Sequence, residues 1–285
     1  MGREAYRSLY GDLTKLKDDS VLKDPAAGPD DDDELFELLL AVSDWIDHYC
    51  NRHFYPRAET LLFDGSGGDR LLTPDLISVA ELAESDASGR DFEKAWEAGA
   101  YRLLPYNAAP LRPWGHPYGA ILSLLKGGAH AGRGDGFAAG QANFRVTGVW
   151  GYRLFAEASG AALAAPVAAD DAAMTVSDSS QFHVGQTVLL GASGKDAAPA
   201  EQALVTAVDS HELKVSRGLN GSAATAHASG EAVGILRWPA SVERAALIQA
   251  ARIWTRAADF EPFYVDADVD TDVRLLLEPY RRTPS

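Results

Sequence analysis

The residues that could do chemistry in this chain are chiefly carboxylates and histidines, so their spacing decides what they could hold. Asp266, Asp268, Asp270 and Asp272 alternate as the start of a calcium loop does, but such a loop needs glycine at its sixth position and a carboxylate at its twelfth. Thr271 and Leu277 stand there instead. We read the four as an acidic linker and cap before a last helix. Asp30–Asp33 precede an apolar-periodic run, where carboxylates cap a helix and meet the positive end of its dipole, and that reading is preferred to a metal site. His48 and His53 are five apart with no Glu after the first, so they miss the zinc-protease spacing. His116 and His130 lie in a glycine-rich stretch, and His183, His211 and His227 show no ligand spacing.

Gly191-Ala-Ser-Gly-Lys-Asp196 is superficially like both a nucleophile elbow and a phosphate loop. The elbow needs Gly where Lys195 stands, and the phosphate loop needs Ser or Thr after Lys195 and Gly where Leu189 stands. It reads as a loop between strands. Arg133-Gly134-Asp135 is a tripeptide common by chance. Asn220-Gly221-Ser222 is a formal glycosylation site better read as a hairpin turn. Cys50 is the sole cysteine, so neither an intrachain disulfide nor a cysteine zinc site is expected. No catalytic, cofactor-binding or metal residue is assigned, no cofactor is expected, and the chain is not read as an enzyme.

Composition narrows the class further. The chain has 285 residues, 26 Lys+Arg against 41 Asp+Glu, and a net charge of −15, which disfavours a protein that grips phosphates. Its 46% hydrophobic residues suffice for a buried core. The acidity concentrates in residues 1–54, with 6 Lys+Arg against 13 Asp+Glu, and in 156–238, with 4 against 9. No stretch approaches the roughly 18 apolar residues of a membrane span, and Met1-Gly2-Arg3-Glu4 does not begin a signal peptide. A soluble protein made in a cytoplasm, with no membrane partner, is expected.

The elements that must position these residues follow from periodicity. Leu35, Leu38, Leu39, Val42, Trp45, Ile46 and Tyr49 recur at helical steps. From Arg57 to Tyr152 short apolar runs predict strands at Thr60–Phe63, Leu76–Val79, Tyr101–Leu104 and Phe144–Trp150, with Leu111–Gly140 as a long loop. Residues 156–238 are rich in Ala, Ser and Gly, with strands at Met174–Val176, Thr187–Leu190, Ala203–Val208 and Glu212–Val215, and turns at Asp209-Ser210-His211 and Asn220-Gly221. Pro239 opens a helix bearing Val242, Ala245, Ala246, Ile253, Trp254, Ala257 and Phe260, and a short helix over Asp272–Tyr280 follows.

In sequence order come Tyr10, Leu13, Leu16 and Lys17; the helix end Ala41-Val-Ser-Asp-Trp-Ile46-Asp47-His-Tyr-Cys-Asn-Arg52-His-Phe54; Leu71–Val79; Tyr101–Pro105; Val146-Thr-Gly-Val-Trp-Gly-Tyr152; and the Pro239–Arg256 helix. Over about 200 residues this order resembles the head-tail connector (adaptor, or head-completion) proteins of tailed bacteriophages. The departure is 156–238, whose Glu201–Val208, Val215–Gly221 and His227–Gly230 resemble a small β module of phage virion proteins.

The resemblance implies an α+β fold: a helical connector core with a β-rich middle segment and an inserted small all-β domain. The expected divisions are 1–54 (N-terminal helical part of the core), 55–155 (β-rich segment), 156–238 (inserted β domain) and 239–285 (C-terminal helices). It implies a structural virion protein at the neck, made in the host bacterial cytoplasm. There, about a dozen copies would form a closed ring below the portal. That ring would extend the DNA channel and join capsid to tail. Its partners would be further copies, the portal and a tail-side neck or tail terminator protein, with DNA as passing cargo only. The C-terminal segment would reach the portal, making Tyr264, Tyr280, Arg281 and Arg282 the candidate partner contacts. The alternatives are a virion protein whose β module recognises a carbohydrate or protein, or another neck or tail ring such as a tail terminator.

Overall fold

The computed structural model describes residues 7–18, 20–22, 24, 27–86, 91–125, 136–191, 200–258 and 271–283. The chain divides into two compact units, one of residues 1–53, 156–193 and 200–285 and the other of 54–155 with 194–199.

The unit of 54–155 is an antiparallel sheet of β1 (Arg57–Gly65), β2 (Arg70–Glu84), β3 (Lys94–Ala95), β4 (Tyr101–Leu104), β5 (Tyr118–Ser123) and β6 (Gly140–Trp150). The strand order is β1-β6-β2-β5-β4, with β3 added on β2. Alternation puts Leu71, Leu76, Leu82, Ile121, Phe144, Val146 and Trp150 on one buried face. Trp96 stacks on Phe137 at 5.0 Å between ring centres, and Phe144 meets both rings edge-on at 6.0 and 5.0 Å. Pro74 sits inside β2, where the register to β5 shifts between Leu72 and Leu76. A proline is tolerated in a strand at such an irregularity because the ladder already lacks a bond there.

In the other unit, α1 (Leu13–Leu16), α2 (Asp32–Cys50), α3 (Ala240–Ala258) and α4 (Thr271–Leu277) accompany a second antiparallel sheet. That sheet comprises β7 (Ala156–Ala162), β8 (Ala173–Thr175), β9 (Thr187–Leu190), β10 (Glu201–Asp209), β11 (Glu212–Ser216) and β12 (Ala232–Leu236), ordered β7-β12-β9-β10-β11-β8. The isolated bridge Leu163–Val176 brings the ends of the two edge strands together, so the sheet curls round its own core of Leu163, Met174, Val188, Leu190, Val205, Leu213 and Ile235. The predicted turn at Ser210 is a tight one: Asp209 pairs with Glu212, and Ser210 takes φ 45°.

The acidic start of α2 behaves as the sequence suggests, with Asp32, Asp33 and Glu34 in the first turn and Asp31 accepting from the Gly28 N–H at 2.7 Å. Of the expected apolar face, Leu35, Leu39, Val42 and Ile46 are buried, joined by Phe36 and Ser43, while Leu38, Trp45 and Tyr49 are only half-buried. On α3 the buried face is Val242, Ala245, Ala246, Leu247, Ala250 and Ala251, and its alanines let it pack against α2. Among the described residues no helix is long and apolar enough to cross a membrane.

The helical connector core is corrected by the structure. Among the described residues strand outweighs helix, 35% against 24%, and two antiparallel sheets dominate. The two 19-residue helices announce themselves by their period, whereas β7 (AEASGAA) has almost no side chains with which to show alternation. β5 lies within the stretch expected to be loop, hidden by the glycines and prolines around it. The last helix is also shorter than expected, ending at Leu277 and continuing as a 3₁₀ turn over Glu278–Tyr280.

Candidate functional site

The C-terminal segment expected to meet a partner can be built upward from α2. That helix ends where Asn51 turns left-handed at φ 50° and its N–H returns to the carbonyls of Asp47 and His48. This leaves last-turn carbonyls in need of donors. The Arg282 N–H supplies one, donating to the Cys50 carbonyl at 2.9 Å, and Asn51 Nδ2 reaches the Arg282 carbonyl at 3.5 Å. The Tyr49 hydroxyl donates to Glu278 at 3.3 Å, and the Arg281 guanidinium lies 5.1 Å above the Tyr49 ring. Trp45 stacks on that same ring at 5.4 Å. Partial burial and the facing Glu278 carboxylate raise the Tyr49 phenol above its ordinary value, and burial pushes the Cys50 thiol up to about 12.

Three of the four expected contact residues are therefore gathered at one end of α2. The Tyr280 hydroxyl accepts from Ser241 on α3 at 3.0 Å, Arg281 also faces Glu278 at 3.6 Å, and Arg282 is held through its backbone. Tyr264 lies outside the described residues. Upstream, Arg252 ties α3 to Asp272 at 2.6 Å, and Val273 and Leu277 are buried beneath α4. Leu275 is 69% exposed on its outer side. What this arrangement offers is a surface of Tyr49, Leu275, Glu278 and Arg281 on a firmly docked tail.

Two buried polar clusters in the same unit escaped the sequence reading. At the start of β10, Glu201 Oε1 accepts from Arg217 Nε, and Oε2 accepts from Arg217 Nη2 at 2.7 Å and the Thr225 N–H at 2.9 Å. His227 Nε2 lies 2.9 Å from that same oxygen, and His227 Nδ1 lies 3.1 Å from Glu231. Burial alone would raise the Glu201 carboxyl, but the bonds from Arg217, Thr225 and His227 outweigh it and hold the group below its ordinary value. Arg217 also donates to the carbonyls of Ala168, Asp171 and Thr225. Each group is saturated by the others, so the cluster braces three loops. The hint in the sequence was a glutamate opening a strand just ahead of the apolar run Ala203–Val205.

The second cluster anchors the N-terminal segment. Arg7 meets Asp44 at 3.0 Å and Asp47 at 2.7 Å and donates to the Ser43 carbonyl, while the Tyr10 hydroxyl donates to Asp47. Next to it, Ser8 Oγ accepts from Thr187 at 2.9 Å and from Asn220 at 2.8 Å, and Asn220 also donates to Gln202. Asn220 is thus buried in a 3₁₀ turn over Leu219–Gly221 in which it takes a left-handed φ of 55°, which corrects the hairpin expected at that position.

Of the motifs weighed for chemistry, Asp266, Asp268, Asp270, His130, Arg133–Asp135 and Ser193–Asp196 lie outside the described residues. Among the described residues no group of three or more His, Cys, Asp or Glu is placed to hold a metal ion.

No protein-family model matches the chain, and no curated protein matches it. Among solved structures it is similar to a chain described as "Neck of empty GTA particle computed with C6 symmetry", at 12% identity and a TM-score of 0.47, with 100% of this chain and 96% of that chain covered.

Proposed function

We propose that this chain is a structural protein of a tailed-phage-type neck, assembling as a ring below the portal that extends the DNA channel and joins head to tail. One observation carries the reading. The sequence blocks that resemble the connector proteins are spatial neighbours within each unit: Leu71–Val79 and Val146–Tyr152 lie on paired strands with Leu76 opposite Trp150, and the Ala41–Phe54 helix end belongs to α2, which packs on the Pro239–Arg256 helix. Scattered chance matches would have no reason to meet in this way. The net charge of −15 suits a protein past which DNA slides without being held. The docked tail around Tyr280, Arg281 and Arg282 is the proposed portal-side contact, and 156–238 is the proposed insertion into the connector chain.

Cryo-electron microscopy of particles carrying a tagged copy tests the reading. Tag density at the portal–tail junction in a ring is expected. Density on the capsid shell, tail tube or tail tip overturns it.

A further inference from the structure

Residues 98–134 contain no Asp or Glu, in a chain that has 41 of them, yet carry Arg102, Arg112, Lys126 and Arg133. Part of that stretch forms one side of the first sheet. Pairing sets Arg70 on β2 opposite Leu122 on β5, and Leu122 opposite Arg102 on β4. The next row on the same face is Leu72, Ala120 and Leu104. The alternate positions Leu71, Ile121 and Leu103 turn to the core instead. Two guanidinium side chains thus leave the sheet two strand spacings apart, about 10 Å, beside an apolar row.

This face is open. Leu72 is 71% exposed and Tyr106, just past β4, is 67% exposed. With Arg70, Leu104, Pro105 and Ala120 they line a groove of about 460 Å³. One exposed leucine is ordinary, but a contiguous apolar floor marks a surface built for contact. Among the described residues of this unit, ion pairs join Arg57 to Glu59, Lys94 to Glu84 and Arg145 to Glu81, and none reaches Arg70, Arg102 or Arg112. Nor is the border slack. The loop after β4 is cross-braced, the Ala108 N–H donating to Pro105 at 3.1 Å, the Gly115 N–H to Arg112 at 2.9 Å and the His116 N–H to Ala108 at 2.9 Å. A wall held in place beforehand loses little freedom on binding.

Charge and floor together select the occupant. Guanidinium groups without an ion pair call for carboxylates or phosphates, and the apolar row decides between them, because it gains from burying carbon that a phosphate chain does not bring. A second copy is poorly equipped to supply the carboxylates. Its exposed Leu275 stands between Asp272 and Glu278, but Asp272 already holds Arg252 and Glu278 faces Arg281. Its exposed Leu62 has Asp64 two residues on, and that carboxylate is taken by the Ala142 N–H at 2.6 Å.

We infer that the outer face of β2, β5 and β4 docks a different protein, through an acidic segment that sets apolar side chains on Leu72, Leu104 and Tyr106 and carboxylates on Arg70 and Arg102. Arginine and tyrosine beside a desolvated apolar floor are the residue types that anchor such contacts.

Fluorescence anisotropy of labelled synthetic peptides with the full chain tests this. A peptide of mixed Glu and Leu should bind at low salt and weaken as salt rises and screens the contact. Arg70→Gln/Arg102→Gln should weaken it about tenfold, and so should Leu72→Ser. Arg70→Glu/Arg102→Glu should reject that peptide and accept one of mixed Lys and Leu, with circular dichroism unchanged. Where the reversal disturbs the fold, the glutamine pair and Leu72→Ser decide. Wild type that ignores the Glu and Leu peptide overturns the inference, as does binding that survives these substitutions. An all-Glu peptide bound equally well overturns it by removing the apolar floor from the contact. Duplex DNA bound as tightly as the peptide makes the face a nucleic-acid surface and overturns it too. So does self-association in sedimentation that Leu72→Ser abolishes, because the occupant is then a second copy. None of these results bears on the neck reading, which the tagged particles test.

Discussion

Arg217 closes a fork on Glu201 inside the second sheet, with Nη2 2.7 Å from Oε2 and the two side chains 7% and 1% exposed. A pair so buried is held in place by the cost of breaking it, because removing one partner leaves the other charged and dry. Replacing a single member of such a pair costs about 3–5 kcal/mol. Glu201→Gln and Arg217→Met should each lose stability in that range by urea unfolding. A loss below about 1 kcal/mol, as for an exposed pair, would show that the brace is not where the sheet's stability resides.

Two carboxylates of this unit, Asp47 and Glu201, should respond to pH in opposite senses. Burial pushes the Asp47 carboxyl up to about 7 from an ordinary 3.8, with Arg7 and Tyr10 pulling against it. The folded chain then holds that proton more tightly than the unfolded chain. Its stabilising contribution is complete below about pH 4 and fades as pH rises through 7. Wild type compared with Asp47→Asn should therefore lose relative stability from pH 5 to pH 8. A difference that is flat or grows over that window means the Arg7 ion pair outweighs burial. Glu201 is held low, so its contribution is present above the ordinary carboxylate range and disappears as pH falls below it. Wild type compared with Glu201→Gln should lose its advantage only in acid.

These clusters also mark where sequence reasoning stopped. The period of Leu35, Leu39, Val42 and Ile46 placed α2, and Thr147-Gly148-Val149-Trp150 was recognisable as strand. What hid the β architecture was chemistry of small residues. Ala156–Ala162 and Tyr118–Ser123 become strands through partners far along the chain, β12 for the first and β2 and β4 for the second, so no local pattern could reveal them. Tail residues Tyr280–Arg282 were singled out by the resemblance, but not what they dock on within the chain, because the Cys50 carbonyl is free only once Asn51 turns left-handed.

Gly148 tests the strand packing in the other unit. It stands opposite Val79 in the β2–β6 pair, and a Cβ built there would lie 2.2 Å from the Ser78 carbonyl oxygen. Backbone cannot step aside as a flexible side chain can, so the sheet itself would have to shift. Overpacking of this kind costs about 1–3 kcal/mol. Gly148→Ala should fall in that range and Gly148→Val at or above its top, measured as shifts in thermal midpoint. A neutral Gly148→Ala would mean that β2 relaxes freely at its irregularities between Leu76 and Ser78 and between Val79 and Glu81.

The tail offers a comparison between neighbours on a single helix. Leu277 is fully buried beneath α4, whereas Leu275, two residues away, is 69% exposed. Truncating a buried leucine costs about 2–5 kcal/mol, and an exposed change away from special features stays within about 0.5 kcal/mol. Leu277→Ala should thus loosen the whole segment that carries Tyr280, Arg281 and Arg282, visible as faster amide exchange at Arg282, whose N–H bonds the Cys50 carbonyl. Leu275→Ala should leave both stability and that exchange rate unchanged. If Leu275 belongs to the partner-facing surface, the same Leu275→Ala chain should fold normally yet assemble into particles poorly. Leu277→Ala should lose folding and assembly together. Unimpaired assembly by Leu275→Ala and by Arg281→Ala would place the partner surface somewhere other than this tail.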